Sequence, residues 1–255
     1  MKVTIQTHDG FSLAGIFLKP KNSTKVIIFC HGLTANKNNE EIFVRAAENL
    51  NKLGLATILF DFRAHGQSSG NATGDFTISG EVTDLKTVVD FCRQKGFNWI
   101  GLSGASFGGT IACLYVGKYP NSIKKLFLAN PGLNSQKGFH HPTHYWWGKA
   151  IVIVDYYLNK FGMKLRLNKF AWGKPLLDDM KKFDPFGSLK KYNGPVMIAH
   201  GTKDQIIDYD FVKSCFDKLK NTRKKFVSVD GAIHGFHGEP YQARVVDQIV
   251  RFFAS

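Results

Sequence analysis

Apolar and polar residues alternate over positions 2–7 and again over 11–18, on either side of His8-Asp9-Gly10. Alternation of period two around an Asp-Gly turn predicts an antiparallel hairpin. The next segment, KVIIFC (25–30), is apolar without interruption, as expected of a strand buried on both faces. Residues 40–53 (EEIFVRAAENLNKL) carry apolar positions at helical spacing and stop at Gly54. LATILFDF (55–62) then predicts a strand, and residues 79–96 a helix opened by a Ser79 cap and closed by Gly96. NWIGLSG (98–104) predicts a strand, Phe107 to Tyr119 a helix stopped by Pro120, and KKLFLAN (124–130) another strand.

Strands alternating with helices point to an α/β fold, with a mostly parallel sheet covered on both faces. The rhythm breaks over residues 133–194, an aromatic and irregular stretch with one predicted helix near 149–160. It resumes with a strand at 195–201, a helix near 208–220, a strand at 224–231 and a helix near 240–253. The interruption is too long for an ordinary connection. Residues 133–194 are therefore expected to form a cap inserted into one core domain made of residues 1–132 and 195–255. A chain of 255 residues can bury a single core of that kind.

Composition narrows the setting. No apolar run reaches the roughly 18 residues that span a bilayer, so no membrane insertion is expected. The opening MKVTIQTHDGFSLAGIF lacks the continuous apolar segment of a secretory signal. Cys30, Cys92, Cys113 and Cys215 are scattered, and all but Cys215 lie in strongly apolar surroundings. They suit buried thiols in a reducing compartment, so the cytoplasm is the expected location. The formal charge of +14 favours anionic partners in general. Its lysine pairs (124–125, 181–182, 190–191, 224–225) are dispersed and carry no nucleic-acid motif. They are expected to form a solvated surface, with weak association to anionic surfaces as the alternative. Oligomeric state is not legible.

Chemistry enters at Gly104-Ala105-Ser106-Phe107-Gly108, a G-x-S-x-G sequence lying between a predicted strand and a predicted helix. Such a junction must reverse the chain within a few residues, which leaves room only for glycine two positions either side of the serine. It lifts Ser106 above the sheet at a helix N-terminus, where free N–H groups favour developing negative charge. Ser103, the nearest rival nucleophile, precedes the turn and would point into the sheet. An acyl-transfer site also needs two oxyanion donors. The Phe107 N–H is placed by the elbow itself. The Leu33 N–H, in the loop FCHGLTANKNN after the first central strand, is the expected second, with His31 structural.

A serine needs a base, and the base needs an orienting acid. His234, in VDGAIHGFHGEP between the last strand and the last helix, is the expected base, with His237 the alternative. Asp204, in HGTKDQIID just past a strand end, is the expected acid. Asp208 is the alternative acid and is more simply a helix-opening residue, while Asp230 lies too near its strand. The chain order Ser106, Asp204, His234 is that of nucleophile, acid and base in this architecture. His140, His141 and His144 lack a nearby carboxylate or cysteine, so no metal is expected, and no organic cofactor is implied.

The segments HGLTAN, DFRAHGQSSG, GASFGG, HGTKD and GAIHGF, in that order, make the chain resemble the α/β-hydrolase superfamily over nearly its whole length. More narrowly it resembles the small bacterial serine esterases that include the cinnamoyl (feruloyl) esterases. The resemblance implies an α/β-hydrolase fold with an antiparallel N-terminal hairpin, helices on both faces and a cap over the acyl pocket. It also implies a Ser106–His234–Asp204 carboxylesterase acting on a small-molecule ester with a short-chain or aromatic acyl group. Ala105 and Phe107 stand where those esterases commonly carry His and Gln, so hydroxycinnamoyl specificity is not carried over. DFRAHGQSSG is expected to be structural, with Asp61 and Arg63 paired to brace their loop.

The cap stretch holds eleven Lys/Arg against four Asp, half of the chain's positive excess, and three of the four tryptophans. Trp146 and Trp147 are expected to line the pocket entrance, and the basic face to attract anionic esters or interfaces. Alternatives within the enzymes are a monoacylglycerol lipase or thioesterase activity, then a serine aminopeptidase, which would want acidic groups to hold a substrate amine. The alternative outside them is a catalytically silent binding protein of the same fold.

Overall fold

The uninterrupted apolar runs become the middle of an eight-stranded sheet because their successive side chains bury against opposite faces. Val26, Ile28 and Cys30 pack into one hydrophobic cluster, and Ile27 and Phe29 into another. The computed structural model describes residues 1–134, 165–167 and 170–255. The hairpin strands are β1 (Lys2–Gln6) and β2 (Ser12–Leu18), followed by β3 (Lys25–Cys30), β4 (Ala56–Phe60), β5 (Trp99–Ala105) and β6 (Lys125–Ala129). A two-stranded antiparallel pair, β7 (Leu165–Leu167) and β8 (Phe170–Trp172), stands apart from the main sheet, which β9 (Val196–Gly201) and β10 (Lys224–Val229) complete. The order across it is β1-β2-β4-β3-β5-β6-β9-β10. The hairpin joins antiparallel, and every pair from β4 to β10 is parallel.

Helix α1 (Glu41–Lys52) and the C-terminal helix α7 (Tyr241–Ala254) cover one face, through Ile42, Phe43, Val245 and Ile249. On the other face lie α2 (Ile78–Gln94), α3 (Phe107–Lys118) and α6 (Tyr209–Asp217). Two short helices that the apolar pattern does not signal, α4 (Lys174–Met180) and α5 (Pro185–Leu189), join the same cluster through Leu176, Leu177, Met180 and Leu189. Gly117 of α3 permits the contact with α5, since a Cβ there would lie 2.6 Å from Ser188 Cβ. The predicted helix near 149–160, Trp146 and Trp147 lie outside the described residues.

Two local expectations change. Thr77, not Ser79, caps α2, its Oγ1 accepting from the Gly80 N–H at 3.0 Å. Ser79 lies two residues too far along, already inside the helix, and instead donates to Asp179 of α4 at 2.7 Å. Nor do Asp61 and Arg63 pair. The Arg63 guanidinium turns toward α2 and the hairpin, meeting Asp84 at 2.7 Å and Asp9 at 2.9 Å, and its backbone N–H reaches Asp84 too, at 2.9 Å. Asp61, at the end of β4, faces the loop after β3, where Lys37 donates to it at 2.6 Å.

Candidate active site

The strand-to-helix reversal between β5 and α3 is sterically tight. A Cβ on Gly104 would sit 2.4 Å from Gly108 O, and one on Gly108 would sit 2.3 Å from Cys30 O. Ser106 occupies the turn with φ 51° and ψ −115°, a strained conformation for a residue with a side chain. Its N–H donates to Ala129 O of β6 at 2.8 Å, which locks the turn to the neighbouring strand. Ser103, by contrast, is fully buried within β5.

The loops after β9 and β10 bring the other two groups to the same end of the sheet, the carboxyl ends of the parallel strands, where open α/β sheets bind their ligands. His234 opens a short 3-10 turn, His234–Phe236, in which Gly235 takes φ 80°. Its Nε2 accepts from the Ser106 hydroxyl at 3.0 Å, and its Nδ1–H donates to Asp204 Oδ2 at 2.8 Å. The three side chains thus form one continuous hydrogen-bonded chain. Asp204 Oδ1 accepts from the N–H groups of Ile206 and Ile207, both at 2.9 Å, so neither carboxylate oxygen is free to swing. Burial opposes ionisation of Asp204, but hydrogen bonds from His200 and His234, the His234 charge and the Ile207 N–H outweigh it and hold the carboxyl well below its usual range. His200 is a neighbour the sequence left unassigned. It is fully buried at the end of β9, with Nε2 3.3 Å from Asp204 Oδ2 and 3.0 Å from Ile207 O.

The loop after β3 supplies the facing wall. A Cβ on Gly32 would meet Ser106 Cβ at 3.4 Å, so the His31-Gly32-Leu33 backbone passes directly over the serine. Gly32 N–H donates to Glu40 at 3.1 Å. His31 is structural: Nδ1–H donates to Gly32 O at 2.9 Å, and Nε2 accepts from Phe62 N–H at 3.1 Å. Gly32 O belongs to the peptide unit that carries the Leu33 N–H, so His31 fixes the plane of that unit. Phe107 begins α3, so its N–H is among the first-turn donors without an intrahelical partner. Neither N–H is hydrogen-bonded to a protein acceptor among the described residues.

Burial, with His65 and Lys37 adding to it, pushes His31 down to about 3. Folded His31 therefore stays neutral while the unfolded chain protonates near pH 6.5, so its contribution to stability is lost as pH falls from there toward 3. Between pH 7.5 and 5 this loss amounts to about 2 kcal/mol. Urea unfolding at the two pH values is expected to show wild type losing about that much more stability than His31→Asn.

Of the alternatives, His237 is exposed, and the imidazole that reaches Ser106 is that of His234. Asp208 caps α6, accepting from the Phe211 N–H at 2.6 Å. Asp230 is exposed and accepts from Thr202 at 3.1 Å. His140, His141 and His144 lie outside the described residues, among which no three His, Cys, Asp or Glu side chains are grouped to hold a metal. All four cysteines are buried and unpaired in disulfides. No helix among the described residues is long and apolar enough to cross a membrane.

A sequence model of the α/β hydrolase fold matches residues 25–161, more than half of the chain. The chain belongs to the α/β-hydrolase fold family. Within that family its fold is similar to the solved structure of Est1E from Butyrivibrio proteoclasticus with ferulic acid bound, with a TM-score of 0.79 and 23% identity, covering 98% of this chain and 97% of that one. Among curated relatives, Lipase 3 of Moraxella sp. is 27% identical over 71% of this hydrolase-fold chain, which spans 63% of the lipase, under two thirds of its length. A monoacylglycerol lipase of Mycolicibacterium smegmatis is 22% identical, with 90% of this chain and 88% of the relative aligned.

Proposed function

We propose that this α/β hydrolase is a serine carboxylesterase working through an acyl-enzyme, with Ser106 as nucleophile, His234 as base and Asp204 as orienting acid. The reading rests above all on the unbroken chain from Asp204 to His234 to Ser106, at 2.8 and 3.0 Å. The Ser106 hydroxyl, already donating to His234 Nε2, attacks the ester carbonyl as His234 takes its proton. The carbonyl oxygen becomes an oxyanion facing the N–H groups of Leu33 and Phe107. His234 then passes the proton to the departing alcohol. In the second half His234 activates water against the acyl-enzyme, and Ser106 recovers its proton as the acid leaves. Asp204, held ionised, keeps the imidazole in the tautomer that accepts from serine and stabilises its charged form. Every step is carried by side chains and backbone N–H groups, so no cofactor is needed.

Short-chain or aromatic acyl esters are the proposed substrates, with the insertion of residues 133–194 supplying the cap over the site through its part before α4, and Trp146 and Trp147 at the entrance. The similarity to a monoacylglycerol lipase along nearly the whole chain favours a second reading, glyceride esters of longer acids. Two measurements test the proposal. A fluorophosphonate probe is expected to label wild type and leave Ser106→Ala unlabelled; labelling of neither would favour the silent binding protein. Across short-chain aryl esters, feruloyl esters, monoacylglycerols and an aminoacyl amide, the highest kcat/KM is expected on the short or aromatic acyl esters. Preference for monoacylglycerols would select the second reading, and turnover of the amide alone would refute both.

A further inference from the structure

We infer that the buried ion pair between Lys37 and Asp61 is a positioning device for the Leu33 N–H, setting how well the site holds a developing oxyanion. The inference builds on the proposed role of Leu33. Lys37 lies four residues beyond Leu33 in the loop after β3, yet its side chain is only 3% exposed and that of Asp61 is completely buried. Lys37 meets the carboxylate twice, its backbone N–H at 2.7 Å from Oδ1 and its Nζ at 2.6 Å from Oδ2. Gln67 completes the knot, its N–H donating to Oδ2 at 2.8 Å and its Oε1 accepting from Lys37 Nζ at 3.0 Å.

A buried ion pair is a poor way to add stability, because well-packed apolar residues in its place often serve as well or better. What it does supply is direction. One ammonium bond and two backbone N–H bonds to one carboxylate leave the loop a single arrangement, whereas an apolar contact would tolerate several. The arrangement so fixed is that of two loops gripping each other around Leu33. From the loop after β4, Phe62 N–H reaches His31 at 3.1 Å, and the His65 ring nitrogen Nε2 lies 2.7 Å from Leu33 O. The turn that carries His65 is wrapped around the Asp61 carboxylate. At Gly66, with φ +51°, a Cβ would fall 2.2 Å from Asp61 Oδ2. Releasing the pair therefore frees both walls between which the Leu33 peptide is held, and small misplacements of such groups are costly in rate.

The test compares wild type with the double variant Lys37→Met/Asp61→Leu, which removes both charges together, and with Gly66→Ala, which keeps them and crowds the carboxylate. With a p-nitrophenyl butyrate substrate, kcat is expected to fall about 10- to 100-fold while KM stays within about threefold. The inhibition constant of a trifluoromethyl ketone, whose carbonyl takes up the Ser106 oxygen to form a hemiketal with its oxyanion on the same donors, is expected to rise in parallel with the loss of kcat. Amide hydrogen exchange at Leu33 to Lys37 is expected to quicken, a readout that needs no activity. A folded variant with kcat and inhibition constant at wild-type values overturns the inference. So does failure of both variants to fold, since the pair would then be holding the fold and not the loop. Wild-type protein inert toward ester and fluorophosphonate, with faster exchange in the variants, would instead remove the proposed function and leave the mechanical coupling standing.

Discussion

Replacing Ser106 by alanine is expected to lower kcat on the best ester substrate by about a millionfold while leaving the fold intact. The size follows from what is removed. On the proposed mechanism, loss of the hydroxyl removes the covalent intermediate and the group whose proton His234 takes; what survives is the rate contributed by the oxyanion donors and substrate binding, about 10³- to 10⁴-fold over water. The fold should tolerate the change because Ser106 contributes no side-chain cap to α3 and is tied to β6 through its backbone N–H. Circular dichroism and melting temperature check that tolerance, and titration with a fluorophosphonate shows that the remaining rate is not contaminating wild type. A residual kcat within a hundredfold of wild type would point to a different nucleophile.

Asp204→Asn is expected to lower kcat by about 10⁴-fold, and the surrounding bonds say why. The Ile206 and Ile207 N–H groups both donate to Oδ1, so the asparagine must keep its carbonyl oxygen there. Its NH2 then stands where Oδ2 stood, facing His234 Nδ1, which can only accept. The imidazole proton is forced onto Nε2, toward the Ser106 hydroxyl, and the proposed base is switched off without leaving its place. Nitrogen-15 shifts of the His234 ring would register the tautomer change directly, alongside single-turnover acylation rates. Acylation of the Asp204→Asn variant at wild-type rate would show that Asp204 does no orienting.

Much of this was legible in the chain because the signals are local. The buried parallel strands appear as unbroken apolar runs, the elbow as glycines whose replacement would force the turn apart, and the proposed acid and base as short polar loops at strand ends. Boundaries shifted where a side chain had two uses: Ser79 looks like a cap in sequence, but Thr77 is nearer the first free N–H and Ser79 is engaged by Asp179. Asp61 and Arg63 look paired because they are two residues apart. Their partners, Lys37 and Asp84, sit 24 and 21 positions away, and only the assembled loops reveal them. Glu40 and His200 went unassigned for a similar reason. Glu40 touches the site through the Gly32 N–H and His200 through Asp204 and Ile207 O, contacts that leave no spacing pattern to find; the one hint was a histidine and an acid placed in segments already recognised for other residues. The middle of the chain resisted because its patterning is irregular, and α4 and α5 are too short to show a helical period.

The separation of the three groups along the polypeptide carries a consequence for how the protein is born. Ser106 stands in the turn that follows β5, in the middle of the sheet, whereas its hydrogen-bond partner His234 follows 128 residues later, beyond β10 at the far edge. A nascent chain that has not yet reached the loop after β10 thus carries a serine with no imidazole beside it, and the proposed chemistry stays silent until residue 234 has been made and folded into place.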